Sequence, residues 1–285
     1  MTTWDFSKGH GTENDFVVLP DADGVLDLDP ELVRALCDRR RGLGADGLLR
    51  VVRTSAAGER VPGDDPPEWF MDHRNADGTT AEMCGNGVRV YARYLVAAGL
   101  AGPGTLRLGT RAGVREVSLG AMGDVTVDMG APRLIAEGPV PVQVGGVAAS
   151  GTAVSMGNPH LVVVAEAPVE DWDLTRPPVV PREVFPEGVN LEVVQRAGER
   201  HLRLRVHERG VGETRSCGTG VCAAAVAAQL AAAGAGGPAR AGTPAWTVDV
   251  PGGRLRVELD GTTARMTGPA VLVASGTVDL DALRR

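Results

Sequence analysis

Met83-Cys84-Gly85-Asn86-Gly87-Val88 decides the reading of this chain, because it returns downstream as Ser216-Cys217-Gly218-Thr219-Gly220-Val221. Each copy sets a cysteine before a Gly-x-Gly, and each Gly-x-Gly opens an apolar run that predicts a helix. The cysteine then stands at a helix N-terminus, facing unpaired backbone N–H groups and the positive end of the helix dipole. That setting predicts a thiol pKa lowered from roughly 8.5 and an accessible thiolate. A single Cys-Gly-x-Gly would read as a structural turn into a helix. Two copies with matched polar residues upstream read as a site.

The spacings argue for an internal duplication. Cys84 and Cys217 lie 133 positions apart, and Asn75 and Glu208, each nine residues before its cysteine, share that offset. Asn14 and Asn158, each shortly before a strand, are 144 apart, and Gly47 and Asn190 are 143 apart. The offset changes by about ten, and the polar, Pro- and Gly-rich stretch from Thr54 to Pro67 is an insert of that size in the first half. A pseudo-twofold arrangement of the halves would bring the two helix N-termini together across a cleft.

Local patterns fill in the elements. Phe6 to Asp15 reads as a polar, Gly-punctuated loop before the strand Phe16 to Leu19. Asp29-Pro30-Glu31 starts a helix with Asp as N-cap and Pro at the first helical position. Leu32, Val33, Leu36 and Cys37 share its inner face, which places Cys37 in a core. Arg39-Arg40-Arg41 reads as a solvated helix end. Strands are expected at Leu48 to Val52, from Trp69, between Leu106 and Val127, and at Leu161 to Val164. Further candidates are Leu191 to Val194, Leu202 to Val206, Leu255 to Leu259 and Ala270 to Ala274. The first cysteine helix should run to about Ala98. The second, Val221 to Ala233, is apolar nearly all round and should be buried all round. Cys222 falls roughly 140° from Cys217 on that helix, in the core. His73, His201 and His207 show no metal-ligand spacing and read as surface or locally hydrogen-bonded.

Composition bounds the function. At 285 residues there is length for one large or two medium domains. The net charge of −7 argues against nucleic acid or an anionic membrane surface as partner. Lys8 is the only lysine among 29 basic residues, so it alone could form a Schiff base with a cofactor. Four cysteines, Cys37, Cys84, Cys217 and Cys222, are too few for a disulfide scaffold and predict free thiols in a reducing cytoplasm. No signal peptide is expected from Met1 to Lys8, and the apolar stretch Val221 to Ala235 is too short to span a membrane.

Two activated thiols suit one task well. Inverting the α-carbon of an amino acid needs a base on one face and an acid on the other. The carbanion needs its carboxylate stabilised, and two helix N-termini offer backbone N–H donors for it. The Gly-x-Gly would let the backbone approach that carboxylate closely.

At this point the segments Phe6 to Phe16, Asn75 to Arg89, Gly157 to His160 and Glu208 to Gly220 resemble the diaminopimelate epimerase family over nearly the whole chain. The resemblance implies cofactor-independent, metal-free conversion of LL- to meso-2,6-diaminopimelate, for lysine and peptidoglycan precursors. It implies Cys84 and Cys217 as the catalytic pair. Asn14, Asn75, Asn158, Asn190, Glu208 and Arg209 match substrate-binding residues, and the backbone of Gly85-Asn86 and Gly218-Thr219 matches the carboxylate-holding segments. His160 matches a supporting histidine. Some members carry glutamine where this chain has Gly47, and the insert is longer than usual.

The implied fold is α+β, with two similar domains, each a curved, mostly antiparallel sheet around a central helix and the active site between them. The domains are expected at 1–131 and 132–275, with 276–285 returning to the first. Homodimerisation is left open. The nearest rival is a proline or hydroxyproline racemase using the same thiols, for which Asn75, Asn158, Asn190 and Arg209 together would be excessive. A redox switch pairing Cys84 with Cys217, and a non-catalytic amino-acid-binding protein, are the rivals from other classes.

Overall fold

The opening segment builds a strand pair where its glycines suggest a loop. In the computed structural model, β1 (Thr3–Gly11) and β2 (Asn14–Pro20) pair antiparallel. The turn between them uses Thr12 and Glu13 at φ 51° and 61°, a left-handed pair suited to a tight hairpin. The glycines serve packing. A Cβ on Gly9 would lie 2.9 Å from Val90 Cγ1, and one on Gly11 would lie 2.8 Å from Arg89 Nη2. Both neighbours belong to α2 (Gly85–Ala97), so the helix sits close against the strand. The structure describes residues 3–63, 65–234 and 245–284. Asp64 in the insert and Ala235 at the end of the apolar stretch lie outside the described residues.

The first compact unit comprises Met1–Val127 and Gly268–Arg285. After β2 come α1 (Pro30–Cys37), β3 (Gly47–Arg53), β4 (Trp69–Asn75) and α2. β5 (Gly104–Thr110), β6 (Gly113–Leu119) and β7 (Val125–Asp128) follow. Asp29 caps α1 as expected, accepting from the Leu32 N–H at 2.8 Å. Cys37 is buried beneath it, and burial pushes its thiol up to about 12. α2 touches β1, β2, β3, β4 and β6, so the sheet curls around it. The insert is tied back by Thr54 Oγ1 to the Pro67 carbonyl and by Glu59 to Arg111.

The second unit is Asp128–Thr267. It runs β8 (Arg133–Leu134), β9 (Val140–Val144), β10 (Val147–Ser155), β11 (Pro159–Ala165), β12 (Asn190–Gly198), β13 (His201–Glu208) and β14 (Gly212–Thr214). Then come α3 (Gly218–Gly234), β15 (Ala245–Val250), β16 (Gly253–Leu259) and β17 (Ala264–Gly268). α3 touches β10, β11, β12, β13, β15 and β16. It is enclosed from Gly218 to Ala225, but Leu230, Ala231 and Ala233 are exposed, so burial all round holds for its first half only.

The two units share a pairing scheme. An antiparallel pair (β1/β2, β10/β11) is followed by a parallel one (β2/β3, β11/β12) and an antiparallel one (β3/β4, β12/β13). The strand after the central helix then pairs parallel with the last long strand before it (β4/β5, β13/β15), and opens an antiparallel hairpin (β5/β6, β15/β16). The duplication read from residue offsets is therefore present in the hydrogen bonding. Finally, β18 (Val271–Asp279) pairs with β1 from Thr3↔Asp279 to His10↔Val271, ahead of the short α4 (Leu280–Leu283). The return to the first unit begins at Gly268 and takes in the whole of this strand, where the sequence suggested only the last residues.

Candidate active site

Cys84 is the N-cap of α2, with extended backbone at φ −139° and ψ 118°. Its carbonyl accepts the first helical hydrogen bond from Val88, and its sulfur accepts from the Gly87 N–H at 3.4 Å. Asn14, opening β2, sits beside it. The Asn14 Nδ2 donates to Asp46 Oδ2 at 2.9 Å, which turns its Oδ1 toward Asn86 Nδ2 (3.2 Å) and the Cys84 thiol (3.7 Å). An ionic brace fixes this amide. Arg39 holds Asp46 at 2.7 Å and grips Asp15 with both Nη atoms, and Lys8 pairs with Asp15 at 2.7 Å. Burial alone would raise the Asp15 carboxyl, yet Arg39 and Lys8 hold it well below the usual carboxylate range. Arg39, expected as part of a solvated helix end, thus anchors the residue that orients Asn14.

Cys217 begins α3 in the same way. Its carbonyl accepts from Val221 at 2.9 Å, and its sulfur takes a backbone hydrogen bond from Gly220. Thr219 Oγ1 lies 3.4 Å from the sulfur. Asn158 Nδ2 donates to that hydroxyl at 3.4 Å, and Asn158 Oδ1 is 3.0 Å from His160 Nε2. His160 Nδ1 in turn meets Glu192 Oε1 at 2.7 Å, with both side chains fully buried. The lowered thiol pKa expected from the helix end does not hold here. Burial, followed by the charges of Glu208 and Glu192, pushes the Cys217 thiol well above its ordinary value, against the pull of Thr219 and Gly220.

The Gly-x-Gly also has a role other than the one expected. A Cβ on Gly220 would fall 2.4 Å from Glu192 Oε1, so this glycine makes room for a carboxylate of the sheet beneath the helix. At Gly87 the corresponding neighbours are Leu49 Cδ2 at 3.3 Å and Phe16 Cζ at 3.6 Å.

The remaining expected residues fall as follows. Gly85 and Asn86 are buried in the first turn of α2, and Gly218 and Thr219 in that of α3. Asn75 ends β4 in the open, its Nδ2 donating to Thr79 Oγ1 at 3.0 Å. Asn190 is buried and spends its amide on the backbone, donating to the Pro159 carbonyl at 3.0 Å and accepting from the Arg209 N–H at 2.9 Å. It orders Arg209, whose half-exposed guanidinium lies 3.6 Å from Glu187. Glu208 accepts from the Thr214 hydroxyl. In place of Gly47 a side chain would meet the Arg74 carbonyl 2.8 Å from its Cβ, so glycine fits the β3/β4 pairing there.

Two histidines are locally bonded, His201 to Asp249 and His207 to the Leu174 carbonyl. His73 departs from expectation. It is buried edge-on to Phe16, its Nδ1 meets no hydrogen-bond partner among the described residues, and burial lowers its pKa to about 4. Cys222 is fully buried in the core of α3's unit. Among the described residues no group of three or more His, Cys, Asp or Glu is disposed to hold a metal ion, and no helix is long and apolar enough to cross a membrane.

Glu192 and Asp46 were the residues missed. A glutamate in a strand reads as solvent-facing under simple alternation, and β12 instead has a helix over that side. The signal lay in the duplication itself. The offsets that pair Asn14 with Asn158 and Gly47 with Asn190 also pair Phe16 with His160 and Leu49 with Glu192, apolar against polar.

Sequence comparisons with known proteins converge on one family. The family model described as diaminopimelate epimerase matches residues 6–135 and 152–273. A diaminopimelate epimerase of Thermobifida fusca is 54% identical over 283 residues, covering 98% of this chain and 99% of that protein. One from Streptomyces coelicolor is 53% identical over 277 residues, covering 96% and 95%. Among solved structures, a hydroxyproline epimerase from Agrobacterium vitis superposes with a TM-score of 0.66 at 13% identity, covering 97% of this chain and 92% of that one. At that identity the likeness is one of fold.

Proposed function

The chain belongs to the diaminopimelate epimerase family, and from that premise we propose that Cys84 and Cys217 together carry out its isomerisation. It is an isomerase that converts LL- to meso-diaminopimelate in lysine biosynthesis.

One sulfur, as thiolate, removes the α-hydrogen as a proton. The electron pair left on carbon spreads into the adjacent carboxylate as an enediolate. The other sulfur, as thiol, returns a proton to the opposite face, and the two sulfurs end with their protonation states exchanged. Cys217, enclosed and flanked by Glu208 and Glu192, is the sulfur that holds its proton, so it is the donor when Cys84 acts as base. The backbone N–H groups of Gly85-Asn86 and Gly218-Thr219 stabilise the charge developing on the reacting carboxylate, as helix N-termini do. At the distal end of the substrate, Arg209 takes the carboxylate, Glu208 the ammonium, and Asn75 the remaining polar contacts. This scheme needs no cofactor.

The observation that carries the reading is the repeated N-cap. Two units of one pairing scheme each present a cysteine whose sulfur accepts from the N–H three residues on. The test is proton NMR of LL-diaminopimelate with the enzyme in D2O. Deuterium is expected at one stereocentre as meso product forms, without added cofactor. Absence of exchange, or exchange with proline or hydroxyproline alone, overturns the reading.

A further inference from the structure

We propose that Glu192 is a positioning residue, which acts through His160, Asn158 and Thr219 to aim a hydrogen-bond donor at the Cys217 sulfur. The inference rests on the two-thiol reading above and concerns how one thiol is tuned.

The geometry is a single chain of contacts within the second unit. Glu192 Oε1 meets His160 Nδ1 at 2.7 Å, His160 Nε2 meets Asn158 Oδ1 at 3.0 Å, Asn158 Nδ2 meets Thr219 Oγ1 at 3.4 Å, and Thr219 Oγ1 meets Cys217 Sγ at 3.4 Å. The polarity of this chain is set by its ends. Asn158 Oδ1 only accepts, so His160 Nε2 carries a hydrogen. Thr219, accepting from the Asn158 amide, has its own hydrogen left to give to sulfur. The 2.7 Å contact with Oε1 engages Nδ1 and so keeps Nε2 as the donor, an effect on the Cys217 sulfur opposite in sign to that of the Glu192 charge. Glu192 Oε2 is buried with no hydrogen-bond partner among the described residues, so His160 is the contact that binds this carboxylate.

The chain supplies its own control. The offsets of the duplication place Phe16 where the second half has His160, and Leu49 where it has Glu192. The register agrees, Phe16 facing Gly47 and His160 facing Asn190. Phe16 and Leu49 are likewise fully buried under the first turn of the helix. The scaffold therefore closes over an apolar pair at these positions. A buried acid and imidazole are costly where apolar residues fit, so folding does not call for them. In the first half the Cys84 sulfur lies 3.7 Å from the Asn14 oxygen and accepts from the Gly87 N–H.

Glu208, Glu192 and His160 are the titratable groups around Cys217, so the sign of the response separates a positioning role from a bare charge. Glu192→Leu copies the first half. Alkylation by iodoacetamide is followed at Cys217 and Cys84 separately by peptide mass spectrometry across pH, beside epimerisation kinetics. In Glu192→Leu the Cys217 profile is expected to move up by about one pH unit with Cys84 unmoved, while kcat falls about 10- to 100-fold and KM stays within about twofold. Glu192→Gln, whose amide can still meet Nδ1, should recover kcat to within about threefold of wild type. An unmoved Cys217 profile with full turnover in Glu192→Leu overturns the proposal. So does a shift to lower pH, the signature of a lost negative charge. If Glu192→Leu does not fold, Glu192→Asp decides, since its shorter side chain keeps the carboxylate but leaves Nδ1: a Cys217 profile moved up with kcat lowered supports the proposal, and an unmoved profile with full turnover overturns it. Failure of the two-thiol reading itself is seen elsewhere, as turnover by the wild-type fold without Cys217.

Discussion

Beneath the first turn of α2 lie Phe16 and Leu49, and beneath the first turn of α3 lie His160 and Glu192. The two beds have the same strands, the same parallel register and the same N-cap cysteine above them. They differ in what the sulfur meets. Cys84 has an apolar floor and an amide oxygen held outward by Asp46. Cys217 has a hydroxyl, an amide, an imidazole and a carboxylate in line. In the mechanism proposed above, duplication supplies one thiol for each face of the carbon. The divergence lies in the ground beneath each thiol.

The sharpest way to break this comparison is to remove either sulfur. Cys84→Ala and Cys217→Ala should each abolish epimerisation in a coupled or NMR assay. Full turnover by either variant would leave the symmetry without a chemical purpose. Next comes the glycine three residues after each cysteine. Gly220→Ala drives its Cβ into Glu192, which cannot yield without leaving His160, so a loss of about 1–3 kcal/mol in urea unfolding is expected together with lost activity. Gly87→Ala meets a leucine methyl at 3.3 Å, the Cys84 Cβ at 3.4 Å and a phenyl edge at 3.6 Å, and should stay within about 1 kcal/mol. Equal losses would mean that the two beds are alike.

The smallest effect concerns His73, whose counterpart at the 133-residue offset is the buried Val206. Folded His73 has its pKa depressed to about 4, so below the unfolded value near 6.5 only the unfolded chain takes up the proton. Stability should therefore fall on acidification through this window, by about 2 kcal/mol between pH 7 and pH 5 from this group. His73→Val should remove that part of the slope, and an unchanged slope would place the acid sensitivity elsewhere.

The two N-cap cysteines were legible because their motif is written twice: Cys84 and Cys217 stand in matching hexapeptides, with Asn75 and Glu208 at the same 133-residue offset and Asn14 and Asn158 at 144. What was illegible lies between elements distant in sequence. Glu192 looks like any outward residue of a strand until a helix is placed over it. Arg39 looks like a helix end until Asp15 and Asp46 are brought to it. The hairpin β1–β2 was hidden because its glycines relieve crowding by α2, while its turn is made by Thr12 and Glu13, which carry no turn signature. His73 was misjudged because a lone histidine gives no sign of which face of a buried strand it occupies.

The pairing of β18 with β1 has a consequence for biosynthesis on the ribosome. All of the second unit, through Thr267, is translated before Val271–Asp279, the strand that completes the first sheet. The unit begun first is therefore finished last. The nascent chain carries β1 with one edge unpaired while the later unit, with Cys217 and its buried network, can already close.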